Sequence, residues 1–356
     1  MPSIDTTLKL EEVIDEVRKA IQVSDPELAE ARKRRSALAA ALLDEFPGAR
    51  IYINGSVAHG DALTPLADVD LGIVVPDPDN EYGPGEYGPK RLKVRAAEAI
   101  RQGVKEEYGE LEVVVEGRKR SLLVRFRDPV APGRPDFTAD VIVAIDNPEA
   151  AGLFIPSYHT WDRAHPERHT ELVRAANKDT KASFARVVRL LKHWNRSNSK
   201  PLCSWNIKAL ALDCITTRTA LLPGVQTWFQ HAIEQLSIEE TPDPAGVAKN
   251  PIKLNDKMTR TEIVRRLTRS LETLERAIEL EKTGYPILAY DQLTKFLNDR
   301  EILPAPDSVA VMLEEAKRIN AERAKHSKAH GAPALLTGTG MFAVRERDNV
   351  RSWGER

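Results

Sequence analysis

The sequence predicts an α+β protein in two parts. A mixed sheet of about five strands with helices around it comes first, a helical lobe follows, and an active site lies in the cleft between them. Three observations predict it. Short apolar runs of strand length, separated by turn residues, fill the region from Arg50 to Ile145. Beyond that region apolar residues recur at helical spacing instead, with few strand-like runs. Between the two early strands, "INGSVAHGDALTPLADVDLGIVV" sets a glycine-serine pair ahead of Asp68 and Asp70, at the head of an apolar strand.

The elements follow in order. From Thr7 to about Phe46 the chain reads as two helices: Leu8, Leu10, Val13, Ile14 and Val17 keep helical spacing, and "ELAEARKRRSALAAALLDEF" follows a Ser24-Asp25-Pro26 break. "ARIYIN" alternates as a strand, and after the Gly55 loop "VDLGIVV" forms a second. "DPDNEYGPGEYGP" is an exposed loop by its proline, glycine and acid content, and a helix over Lys90–Tyr108 follows it. "LEVVVEG", "SLLVRFR" and "FTADVIVAI" then complete the sheet. In the second half Phe184, Val187, Val188, Leu191 and Trp194 give one apolar stripe with Lys192 on its flank. Further helices are expected at Asn206–Leu221, Gln226–Leu236, Asp256–Lys282 and Ser308–Ala324, with the proline-rich loop "ETPDPAGVAKNP" between two of them. The reading divides the chain into a sheet lobe with both leading helices (1–150), a helical lobe (151–326) and a flexible tail (327–356).

Composition narrows the function classes. Lys plus Arg total 52 against 53 Asp plus Glu, so no overall basic field argues for non-specific nucleic-acid binding, and only local patches could serve it. No apolar run approaches a membrane span, and the acidic, amphipathic start does not read as a signal peptide. A cytoplasmic protein without a membrane partner is the expectation. Cys203 and Cys214 have no metal-ligand spacing and read as plain buried residues.

The paired aspartates carry the chemistry. On an extended backbone residues i and i+2 share a face, so Asp68 and Asp70 stand side by side, a repulsive arrangement unless a cation lies between them. A two-metal site needs a third acid. Asp140, opening the strand "DVIVAID", is preferred over Asp136, which sits in the turn-like "PGRPDF". Two Mg²⁺ or Mn²⁺ ions about 4 Å apart would activate an attacking hydroxyl and stabilise leaving pyrophosphate. Gly55 allows close approach of a phosphate to the backbone, and Ser56 offers its hydroxyl and amide. Either feature alone is weak; strand, Gly-Ser, short loop and D-x-D in that order are far more specific.

"GSVAHGD", "DVDLGIVV" and "DVIVAI" together resemble the polymerase-β-like nucleotidyltransferase superfamily. The resemblance places Asp68, Asp70 and Asp140 on its metal-binding, catalytic carboxylates and Gly55 with Ser56 on its triphosphate turn. It departs at Gly60-Asp61, where many members have Gly-Thr. The second half, through "LLKHWN", "SWNIKALAL" and "DPAGVAKNP", resembles the helical half of the bacterial CD-NTases, relatives of cyclic GMP-AMP synthase. That resemblance implies triphosphate contacts from Lys192 and Ser204. It further implies nucleoside triphosphate substrates with ATP among them, a cyclic di- or trinucleotide product in anti-phage (CBASS) signalling, a downstream effector activated by it, and accessory regulatory proteins. A template-independent transferase acting on RNA ends or a protein, or a linear oligoadenylate-type synthase, is the second reading; action on RNA would want a basic track, which the net charge disfavours.

Plainer roles are open to several of these residues. A lysine on the edge of an amphipathic helix is commonly solvated, and Ser204 suits a helix N-cap. His59 reads as an exposed loop residue. His159 and His165 fit no zinc spacing. Trp161, Trp194 and Trp205 read as core or lobe-interface residues, with Tyr158 or Trp161 as aromatics that could stack on a base.

Overall fold

Strands β1 (Arg50–Asn54), β2 (Asp68–Val75), β3 (Glu112–Val114), β4 (Ser121–Arg125) and β5 (Thr138–Asp146) form a sheet in the order β1-β2-β5-β4-β3. The computed structural model describes residues 9–83, 87–255 and 257–329. Within the sheet β2 and β5 run parallel and the other neighbours antiparallel. A hairpin of β6 (Leu153–Ser157) and β7 (Thr160–Ala164) pairs onto the end of β5, which makes seven strands among the described residues. The hairpin is absent from the sequence reading because Pro156 and the polar character of "HTWDRA" hide any apolar alternation; its turn is carried by Tyr158 at φ 56°.

Helices α1 (Leu10–Ala20) and α2 (Asp25–Glu45) lead the chain, α3 (Gly55–His59) follows β1, and α4 (Gly88–Gly103) and α5 (Lys105–Tyr108) precede β3. The break between the first two helices is a capping box: the Ser24 hydroxyl accepts from the Glu27 amide while the Glu27 carboxylate accepts from the Ser24 amide. Pro26 stands in the first turn, where its missing N–H costs nothing. α2 and α4 cover one face of the sheet, burying Leu38, Leu42, Leu92, Ala96 and Ile100 against Leu71, Ile73, Val141 and Val143.

The second core is helical: α6 (Pro166–Asp179), α7 (Ser183–Ser197), α8 (Ser204–Cys214), α9 (Leu221–Ile238), α10 (Arg260–Lys282), α11 (Pro286–Leu297) and α12 (Ser308–Ala329). The α7 stripe from Phe184 to Trp194 is buried in it. α10 starts at Arg260 under a Thr259 cap rather than at Asp256, which lies outside the described residues. α11 has no counterpart among the expected helices. One assignment needs correcting: α1 packs with the helical core, not the sheet. Its Leu10, Val13, Ile14 and Val17 are buried with α7, α9 and α11, and Glu11 accepts hydrogen bonds from the first amides of α9. An amphipathic helix carries its apolar face without stating the partner, so the chain's order misleads here. The expected tail lies mostly outside the described residues.

Candidate functional site

The site is built where β2 and β5 run side by side. Strand alternation puts Asp68 and Asp70 on one face, and the register pairs Asp70 with Asp140 and Asp68 with Thr138, so Asp140 stands on that face one strand over. Val69, Leu71, Ala139 and Val141 take the opposite, helix-covered face. Asp136 stays exposed in the loop before β5. Burial pushes the Asp68 and Asp70 carboxyls above the ordinary carboxylate range. For Asp70 the charges of Asp68 and Asp140 add to the effect, and its pKa reaches about 6. Asp140 is engaged from the sheet side: Arg118 Nη2 donates to its Oδ1 at 2.5 Å and the Ser121 hydroxyl at 2.9 Å.

Gly55 lies beneath Asp70. It has φ +79°, and a Cβ there would overlap the Asp70 carboxylate. Asn54 caps the short helix that starts here, its Oδ1 accepting the Gly55 amide at 2.7 Å. Residues 55–59, read from the sequence as a loop, are thus one helical turn. Gly55→Ala is expected to displace Asp70, lowering any turnover about 100-fold and stability by about 1–3 kcal/mol. Initial rates and urea melts check both, and an unchanged rate would mean that Gly55 does not position Asp70.

The helical half reaches the site through buried lysines. Lys192 was expected on a helix flank; it is buried, with Nζ donating to the Asp61 carboxylate at 2.7 Å and to the Asp61 carbonyl at 2.9 Å. Lys208 of α8 lies 3.0 Å from the other Asp61 oxygen and donates to His59 Nδ1 at 2.8 Å. His59, expected exposed, is buried for the same reason: α6 and α8 close over it. An ammonium can only donate, so His59 Nδ1 accepts and its Nε2–H donates to Thr170 Oγ1 at 3.1 Å. The Thr170 hydroxyl in turn donates to the Ile53 carbonyl. Burial, then the Lys208 charge, holds the His59 pKa down to about 3, so the ring stays neutral. Arg189 adds hydrogen bonds to the carbonyls of Gly60 and Ala62, and Asn177 to that of His59.

Ser204 is the first residue of α8, open to solvent and one turn before Lys208 on the same side. It is not the N-cap. Cys203 fills that place, its sulfur accepting the Asn206 amide at 3.3 Å, so this cysteine is a free capping residue at the surface rather than a core hydrophobe. His165 caps α6. Trp205 packs on His169 with ring centroids 4.4 Å apart, and Trp161 donates to the Tyr82 carbonyl.

The donor set fits a hard divalent cation. Three carboxylates share one face, and the Asp70 pKa, raised first by burial and then by the Asp68 and Asp140 charges, includes a repulsion that a cation would relieve. Among the described residues no three acidic, imidazole or thiol groups already form a cluster able to hold an ion, and Asp140 is engaged by Arg118 and Ser121. Arg118 competes for the third ligand. Arg118→Gln is therefore expected to raise Mn²⁺ affinity about tenfold by calorimetry; a fall would show that Arg118 supports the ion instead.

Lys208, Arg118 and Ser121 were missed from the sequence, and Asp61 was marked only as a departure from the family pattern. Lys208 alone had a signal: a single charge inside the apolar helix "SWNIKALAL" asks for a buried partner.

Comparison with known proteins bears on the fold. Residues 35–138 match the family model described as a nucleotidyltransferase domain. No curated protein sequence matches the chain. Among solved structures, CdnC of E. coli MS115-1 in complex with HORMA-deltaN superposes with a TM-score of 0.61 at 15% identity, over 81% of this chain and 97% of that one. The Vibrio cholerae cyclic AMP-GMP synthase DncV, a prokaryotic cGAS homolog, gives 0.52 at 14% identity, over 85% and 83%. A point mutant of the Cid1 poly(U) polymerase bound to MgATP gives 0.51 at 14%, over 74% and 94%. Residues 35–138 thus match a nucleotidyltransferase domain, and the chain shares its α+β fold with CdnC and DncV.

Proposed function

We propose that this chain joins nucleoside triphosphates, ATP among them, into a cyclic di- or trinucleotide second messenger of anti-phage defence, with release of pyrophosphate. The single observation that carries the reading is the face shared by Asp68, Asp70 and Asp140, with Gly55 and Ser56 beside it, in a fold like that of the cyclic AMP-GMP synthase DncV. Asp68, Asp70 and Asp140 would hold two Mg²⁺ or Mn²⁺ ions, which supply activation of the attacking ribose hydroxyl and charge stabilisation at the leaving pyrophosphate. Gly55 lets Asp70 lie against the backbone of the triphosphate turn, and Ser56 and Ser204 offer hydroxyls to phosphate oxygens. Lys192 brings positive charge to the same anion. The closed lobe contact through His59, Asp61 and Lys208 keeps these groups in one frame.

Accessory and effector proteins belong to the same proposal, as CdnC is found in complex with HORMA-deltaN. The likeness to Cid1 favours a second reading, addition of nucleotides to an RNA end or into a linear chain. One incubation separates them: purified protein with each labelled nucleoside triphosphate, singly and in pairs, with Mg²⁺ or Mn²⁺, then phosphatase and mass spectrometry. A phosphatase-resistant product of cyclic mass is expected, and Asp68→Ala with Asp70→Ala should lose it. Linear products alone would replace this reading with the second.

No helix among the described residues is long and apolar enough to cross a membrane.

A further inference from the structure

Asp61 is wholly buried on the segment that leaves α3, and both its carboxylate oxygens face lysines of the helical half, Lys192 at 2.7 Å and Lys208 at 3.0 Å. With His59 neutral and both lysines protonated, two ammonium groups face one carboxylate and leave one positive charge over, and burial holds the Lys208 pKa below the ordinary lysine value. That charge reaches the paired aspartates: α3, which leads to Asp61, starts at Gly55 beneath Asp70, and both lysines bear on Asp68 and on Asp70. A buried ammonium with no fixed partner moves to the nearest carboxylate, since an unpaired buried charge is costly. Asp68 and Asp70 are carboxylates whose charges both lysines already feel, and they are the ones a cation would need.

We propose that Asp61 is a positioning residue that holds Lys192 off Asp68 and Asp70, so that the aspartates stay available to a divalent cation and the ammonium stays available to an anionic phosphate chain. The inference rests on the nucleotidyl-transfer reading and adds to it a division of charge at one site. Asp61 is also the counter-ion of Lys208, and sharing that ion with Lys192 fixes both. The backbone contributes as well, because the Asp61 carbonyl accepts from Lys192 and Arg189 pins the carbonyls on either side.

The test is binding rather than turnover. Mn²⁺ affinity by electron paramagnetic resonance and tripolyphosphate affinity by calorimetry are measured on the full chain and on Asp61→Asn, Lys192→Met and the double variant. Asp61→Asn is expected to weaken both ligands about tenfold, because the released Lys192 closes on the aspartates. Lys192→Met is expected to weaken tripolyphosphate alone. The double variant is expected to regain wild-type Mn²⁺ affinity while tripolyphosphate stays weak, a restoration that a merely structural role for Asp61 would not produce. Asp61→Asn with both affinities unchanged, or a double variant that fails to regain Mn²⁺ binding, overturns the inference. If Asp61→Asn does not fold, Lys192→Met decides it: unchanged tripolyphosphate binding overturns the inference. Wild-type protein that takes up Mn²⁺ but neither ATP nor tripolyphosphate overturns the nucleotidyl-transfer reading itself.

Discussion

Asp70→Asn is expected to abolish nucleotide transfer, by about 1000-fold or more, and at the same time to make the metal-free protein more stable at neutral pH. Both effects have one cause. Asp70 is ionised only against burial and the charges of Asp68 and Asp140, which together bring its pKa to about 6 from an ordinary 3.8. Between those values the folded chain keeps a proton that the unfolded chain has lost, so stability falls as pH rises through about 4 to 6 and stays lower above. At 1.36 kcal/mol per pH unit the penalty at pH 8 is up to about 3 kcal/mol. Asparagine keeps the shape and removes the charge. Thermal melts in EDTA should show Asp70→Asn gaining a few degrees over the wild type at pH 8 and nothing near pH 4. Equal melting temperatures at pH 8 would mean that the site stores no such repulsion.

Asp61→Ala works in the opposite sense. It leaves Lys192 and Lys208 buried without their shared counter-ion, and breaking a buried pair from one side costs about 3–5 kcal/mol. The loss should be visible as a lower urea midpoint with an unchanged slope. Adding Lys208→Met to Asp61→Ala is expected to restore part of the stability, because the deeper of the two orphaned charges is gone. A cost below about 1 kcal/mol for Asp61→Ala would place the joining of the two halves elsewhere, in the Arg189 and Asn177 hydrogen bonds to the Gly60, Ala62 and His59 carbonyls.

Much of the fold was legible because its signals are local. The capping box at Ser24, the apolar stripe of α7 and the strand patterns of β1, β2 and β5 are each written within a few residues. The β6–β7 hairpin and α11 were not, since neither has a clean period or a strong cap. His59 read as a surface residue, and the burial of Lys192 was not foreseen, for a related cause: what covers them comes from other parts of the chain, Lys192 meeting Asp61 across 131 positions.

Strand alternation by itself put Asp68 and Asp70 on one face, and composition by itself removed any overall basic field or membrane span. Those are properties of neighbours along the chain. Which acid joins the pair was decided by the parallel register of β2 on β5, which sets Asp140 rather than Asp136 beside Asp70. Which helix serves which core, and which lysines share Asp61, were decided by the packing of α1, α7 and α8. The reason is physical: a buried charge or an apolar face specifies the kind of partner it needs, and only the folded chain supplies the particular one.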